Sequence, residues 1–92
     1  SKAAIIGLTR DLAQQWASRK GIRVNALAPG MFTSEMTDSY PDGYLEGILQ
    51  RVPLGRRGDG PELASAAVFL ASDAASYITG ALLPVDGGML IT

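Results

Sequence analysis

Two side-chain types that carry much of enzyme chemistry, histidine and cysteine, do not occur in this chain. Thiolate nucleophiles and disulfides are thereby excluded, and the commonest proton-transfer side chain and transition-metal ligands are missing. No metal site is expected. The stretch best placed for chemistry is Arg23-Val24-Asn25-Ala26-Leu27-Ala28-Pro29-Gly30-Met31-Phe32-Thr33. It reads as an apolar strand over 22–28 that stops at Pro29, which cannot donate to a ladder, and opens into a polar loop. Gly30 allows a tight turn or the close approach of a ligand. Ligands of parallel α/β sheets bind at the carboxyl ends of strands, which is where this stretch ends. The plainer reading is a strand followed by an ordinary turn. Thr33 has two readings, ligand contact or cap of a helix containing Glu35 and Met36. Met36, Tyr40, Tyr44 and Leu45 form either an apolar substrate wall or simple lid packing. Asp86, before Gly87-Gly88, is turn material rather than a reactive group.

The elements that must position these residues follow from pattern. Residues 1–20 predict a helix with Ile5, Leu8, Leu12 and Trp16 on one face and Ile6, Ala13 and Ala17 on a second. Two apolar faces imply cover on two sides, by a sheet and by another subunit. Gly21 suits the left-handed end of that helix, after Arg19 and Lys20. Residues 31–58 are broken by glycine and proline and predict a lid-like excursion, with short helices over 33–39 and 42–52, the latter capped by Asp42. A variable surface excursion is the alternative. Gly60-Pro61-Glu62 opens a third helix, ending at Ser72-Asp73, with a small-residue apolar surface from Leu63 to Ala71. Residues 81–85 predict a second strand with Pro84 at an edge or end, and 89–92 an apolar tail. A strand, a helix and a strand in this order imply a right-handed parallel crossover. Parallel sheets are covered on both faces and edges, so the chain reads as the carboxyl-terminal end of a doubly wound sheet whose earlier strands lie elsewhere.

Bulk properties narrow the function classes. With 92 residues, 47% of them hydrophobic, the chain can pack a thin core and is too apolar for disorder. A formal net charge of −1 leaves no electrostatic footprint for nucleic acid. No apolar run can span a bilayer, no basic amphipathic stretch suits a membrane surface, and Arg10 and Asp11 interrupt any leader-like run. A soluble cytoplasmic protein is expected.

Four segments together resemble the classical short-chain dehydrogenase/reductase family. Ser1-Lys2-Ala3-Ala4 is similar to the tail of its Tyr-x-x-x-Lys motif. Arg23-Val24-Asn25-Ala26-Leu27-Ala28-Pro29-Gly30 resembles its strand ending in Asn-x-x-x-Pro-Gly. Pro53-Leu54-Gly55-Arg56, then Gly60-Pro61-Glu62-Leu63-Ala64, resembles the segment after its substrate loop, with one extra residue. Tyr77-Ile78-Thr79-Gly80 and Val85-Asp86-Gly87-Gly88 resemble its closing strand and turn. Each segment alone is weakly specific; their order and spacing across nearly the whole chain are not.

The resemblance implies an α/β fold, the carboxyl-terminal part of one Rossmann-like domain over 1–92, arranged helix–strand–lid–helix–strand with the lid at about 31–58. It implies hydride transfer between NAD or NADP and a carbonyl or alcohol carbon. Lys2 would be catalytic, favouring the phenolate of a tyrosine one helical turn earlier and binding the nicotinamide ribose hydroxyls. That tyrosine would fall just before Ser1, and the glycine-rich dinucleotide loop further upstream, so the 92 residues alone would be inactive. Pro29, Gly30, Met31 and Thr33 would cradle the nicotinamide, mostly through backbone groups. The first and third helices would make a homodimer or homotetramer. The enoyl-reductase branch spaces its tyrosine and lysine further apart and ends the strand differently, so Pro29-Gly30 leans to the carbonyl branch. The competing class is a fold relative without catalysis, serving oligomer assembly or cofactor sensing; a tyrosine four residues before Lys2 separates the two.

Overall fold

The computed structural model describes residues 2–91. Ser1 and Thr92, which the sequence pattern assigns to the first helix and the tail, lie outside the described residues. The elements are α1 (Lys2–Lys20), β1 (Ala26–Pro29), α2 (Glu35–Asp38), α3 (Tyr44–Leu49), α4 (Gly60–Ala71), a 3-10 turn (Asp73–Ala75), β2 (Leu82–Val85) and a last 3-10 turn (Met89–Ile91) within the apolar tail. By internal packing they fall into two compact units, Ser1–Leu27 with Ala66–Leu83, and Ala28–Ser65 with Pro84–Thr92.

β1 and β2 form a two-stranded sheet. Ala26 N–H donates to the Ala81 carbonyl at 2.9 Å, and Gly30 N–H to the Val85 carbonyl at 3.0 Å. Both partners advance together by four residues, so the strands are parallel, and the intervening helices supply the crossover such a pair requires. This is the expected α/β class. Two strand details differ from expectation. β1 starts at Ala26 rather than 22, because side chains hold the residues before it. It also includes Pro29: the ladder needs only the Gly30 N–H beyond it, so the missing proline donor costs nothing there.

In the first unit, α1 ends at Gly21, whose φ of 64° is left-handed. Its N–H reaches the Ala17 carbonyl at 3.0 Å, and the Lys20 amine lies 5.5 Å from the Trp16 ring. The face that α1 buries is not the one its larger residues mark. Thr9 and Ala13 are buried, while Ile5 and Leu8 are about half exposed. Thr9 is tolerated inside because its hydroxyl donates back to the Ile5 carbonyl at 2.7 Å. Before β1, Asn25 takes the place of a strand residue. Its amide donates to the Ile78 carbonyl and its carbonyl accepts from Ala81 N–H, each at 3.0 Å. Arg23 donates to the carbonyls of Ile78 and Ser72.

In the second unit, the excursion holds shorter helices than the pattern suggests. α2 is a single turn capped by Ser34, not Thr33. The Ser34 hydroxyl accepts from Thr37 N–H at 3.2 Å, and Ser34 N–H donates to the Thr37 hydroxyl at 3.0 Å. α3 begins after Gly43 with φ 82°, so Asp42 is not its cap. Gly43 itself holds the cap position next to the first helical residue, and among the described residues no side chain bonds to the exposed N–H groups there. α4 begins at Gly60 as expected, with Asp59 and Glu62 closing a reciprocal box of two 3.1 Å bonds.

Candidate functional site

The carboxyl ends of the two strands come together in the second unit. A Cβ on Gly30 would stand 2.6 Å from the Asp86 Cβ and 2.8 Å from its Cα. Gly30 is therefore glycine because the backbone at Asp86 passes against it, not because the turn is left-handed. Asp86 fixes the following turn as expected. One carboxylate oxygen accepts from Gly88 N–H at 2.9 Å and the other from Leu90 N–H at 3.0 Å.

Past Gly30 the chain makes a second parallel contact. Phe32 bridges Gly58, with Gly58 N–H donating to Met31 and Thr33 N–H to Gly58, both at 2.9 Å. The N–H groups of Met31 and Phe32 make no hydrogen bond among the described residues, and the exposed Thr33 hydroxyl has no partner among them. A ligand at this strand end would thus meet two backbone donors and one hydroxyl. Gly30 N–H is committed to the sheet, and Pro29 has none to give. The enclosed space beside Met31, Leu54, Val85 and Asp86 is about 50 Å³. That is water-sized, not nicotinamide-sized.

Of the proposed substrate wall, Tyr40 and Tyr44 meet edge to face, with ring centroids 5.0 Å apart at 76°. Tyr44 is exposed and Tyr40 and Leu45 are half-buried. Met36 lies on α2, but its side chain is outside the described set. Pro29, Gly30, Met31, Thr33, Tyr40, Tyr44 and Leu45 share the second unit. Lys2 belongs to the first, exposed on the opening turn of α1.

Sequence reasoning missed the ion pairs that brace this loop. Arg56 grips Glu62 with two bonds of 2.8 and 2.9 Å, and Arg57 reaches Asp38 at 2.7 Å and the Thr37 hydroxyl at 3.0 Å. The hydrogen bonds from Arg56, and then that from the Asp59 backbone, lower the Glu62 carboxyl to about 2. Asp59 and Glu62, three apart before an apolar run, were the visible signal of the box. No local spacing announces the Arg57 contacts, whose partners lie 19 and 20 residues away. Among the described residues no cluster of acidic side chains could hold a metal, and no helix is long and apolar enough to cross a membrane.

Comparison with known proteins places this arrangement. Residues 1–90 match the family described as enoyl-(acyl carrier protein) reductase. The chain is 50% identical over 91 residues to 3-oxoacyl-[acyl-carrier-protein] reductase FabG of Rickettsia felis, covering 99% of this chain and 37% of that one. It is 53% identical over 93 residues to galactitol 2-dehydrogenase (L-tagatose-forming) of Cereibacter sphaeroides, covering 99% and 36%. A crystal structure of a candidate 2-deoxy-d-gluconate 3-dehydrogenase from Agrobacterium tumefaciens, with bound NADP, matches with a TM-score of 0.89 and 46% identity over 99% of this chain and 37% of that one. The chain belongs to the short-chain dehydrogenase/reductase family. It spans about 37% of the length of the curated relatives it matches.

Proposed function

We propose that the whole protein is a NAD- or NADP-dependent oxidoreductase that interconverts a carbonyl and an alcohol, with residues 1–92 part of one nucleotide-binding domain and about 31–58 its substrate lid. The observation that carries this reading is the match, over 99% of the chain, to a dehydrogenase structure holding NADP. The residues after β1 suit a nicotinamide: Met31 N–H and the Thr33 hydroxyl stand without partners among the described residues, where a carboxamide needs hydrogen-bonding groups. When bound, the dinucleotide supplies or accepts the hydride. Pro29 and Gly30 end the strand beneath it, and Met36, Tyr40, Tyr44 and Leu45 face the substrate. Lys2 holds the ribose hydroxyls, and its positive charge favours the phenolate of a tyrosine four residues before it in the whole protein.

The substrate is a small carbonyl or alcohol, either a 3-oxoacyl thioester or a polyol. Both classes are named among relatives about 50% identical to this chain. The half-exposed Ile5 and Leu8 of α1, with Val68 and Phe69 of α4, supply apolar surface for a homodimer or homotetramer. A cytoplasmic setting belongs to the same proposal. The test is a spectrophotometric assay of the purified whole protein with NADPH and NADH. Acetoacetyl and crotonyl thioesters would be the oxidants, and galactitol with NADP would test the reverse direction. Turnover with the keto thioester or galactitol is expected. No turnover at all, or turnover with the crotonyl thioester alone, contradicts the carbonyl reading.

A further inference from the structure

We propose that Arg57 is a positioning residue that clamps the first turn of the excursion, so that movement of the lid is confined to 39–51; this rests on the reading of 31–58 as a substrate lid. The outgoing limb, 32–38, and the returning limb, 52–58, are tied to each other at their base. The Phe32–Gly58 bridge is one tie, reinforced by the Phe32 ring: a Cβ on Gly58 would stand 2.5 Å from the nearest ring carbon. Arg57 is the other. Its guanidinium reaches Asp38 at 2.7 Å and the hydroxyl of buried Thr37 at 3.0 Å. That hydroxyl can donate to the Phe32 carbonyl at 2.9 Å and accepts from Ser34 N–H at 3.0 Å, so it joins α2 to the bridge. The returning limb is pinned separately. Val52 is buried, Leu54 N–H donates to the Gly87 carbonyl at 3.1 Å, and Cβ atoms on Gly87 and Gly88 would stand 2.8 Å from Val52 and 2.9 Å from Pro53.

Between these two anchorages lie the Tyr40–Tyr44 pair and α3. Gly43 and Gly47 sit here with open space where their Cβ atoms would be. The chain is thus fastened near 38 and 52, with an exposed Tyr44 and two unhindered glycines between, as expected of a flap that closes over substrate while its base stays fixed. Arg57 suits the base because the two N–H groups of its Nη1 serve both acceptors at once.

The test compares the whole protein with its Arg57→Ala, Arg57→Lys and Asp38→Asn variants by amide hydrogen exchange and steady-state kinetics. In Arg57→Ala, exchange across 34–38 should quicken about tenfold while that of α1 is unchanged. KM for the carbonyl substrate should rise several-fold with kcat nearly preserved. Arg57→Lys should recover part of both, and Asp38→Asn should follow Arg57→Ala. Unchanged exchange at 34–38, equal acceleration in α1, or an unchanged KM overturns the clamp. If the unsubstituted protein turns over no substrate, the oxidoreductase reading fails, while exchange at 34–38 still decides whether Arg57 fastens α2.

Discussion

Gly30 and Glu62 show how single residues hold this strand end. The space a Cβ would need at Gly30 is already filled by the Asp86 backbone. Gly30→Ala must push β1 and β2 apart at their carboxyl ends, and we expect a loss of about 1–3 kcal/mol in urea unfolding of the whole protein. Glu62 depends on charge rather than space. Its carboxyl sits at about 2 in the folded chain against an ordinary 4.5, held down first by Arg56 and then by Asp59. A folded value below the unfolded one means that Glu62 contributes fully above 4.5 and loses its contribution as pH falls through 4.5 toward 2. Glu62→Gln should therefore be less stable than the parent at pH 7, and the gap should narrow as pH falls from 4.5 toward 2. A gap that widens in acid would contradict this. Because Arg56 and Glu62 are both well exposed, the neutral-pH difference should be small.

At the scale of elements, α1, α4 and the parallel pairing of the strands were legible in the sequence, because each rests on a local signal. α1 carries helical spacing and a terminal glycine, α4 opens on Gly60-Pro61-Glu62, and β1 stops within a residue of its Pro-Gly turn. The rest depended on distant partners. β1 is shorter than its apolar run because Arg23 and Asn25 bond to carbonyls some 50 residues on, which no window of sequence displays. The buried face of α1 centres on Thr9 and Ala13, since a small residue fits where Gly80 passes: a Cβ there would be 3.4 Å from that of Ala13. Ala13 lies on the narrower of the two apolar faces the pattern gave, with Ile6 and Ala17, while Ile5 and Leu8 of the broader face are exposed. In the candidate site, Thr33 was legible as a hydroxyl at a strand end, but its freedom from capping was decided by Ser34 and Thr37. α4 offers the prediction at this scale. Asp59→Ala removes the side-chain acceptor of Glu62 N–H, which keeps the Asp59 carbonyl at 3.0 Å, and should cost about 0.5–1 kcal/mol of stability, read by thermal or urea unfolding, with Asp59→Asn milder.

For the whole molecule, the described core is thin. Its buried hydrophobic residues are Ala13, Val52 and Ala75, and no large side chain is fully enclosed among the described residues. Ile5, Leu8, Val68 and Phe69 are left in contact with water, a pattern suited to surfaces covered in an assembly. In the proposed oligomer Leu8→Glu places a charge on such a surface. It should shift the whole protein to a smaller species in light scattering, with its fold retained by circular dichroism; an unchanged mass would remove α1 from the interface.

The central claim is that the loop beyond β1 receives a nicotinamide in a carbonyl–alcohol oxidoreductase. A crystal structure of the whole protein with NADP tests it most directly. We expect the carboxamide within hydrogen-bonding distance of Met31 N–H or the Thr33 hydroxyl, and the Lys2 amine on the ribose hydroxyls. A nicotinamide bound away from 29–33, or a Lys2 turned away from the ribose, would contradict it.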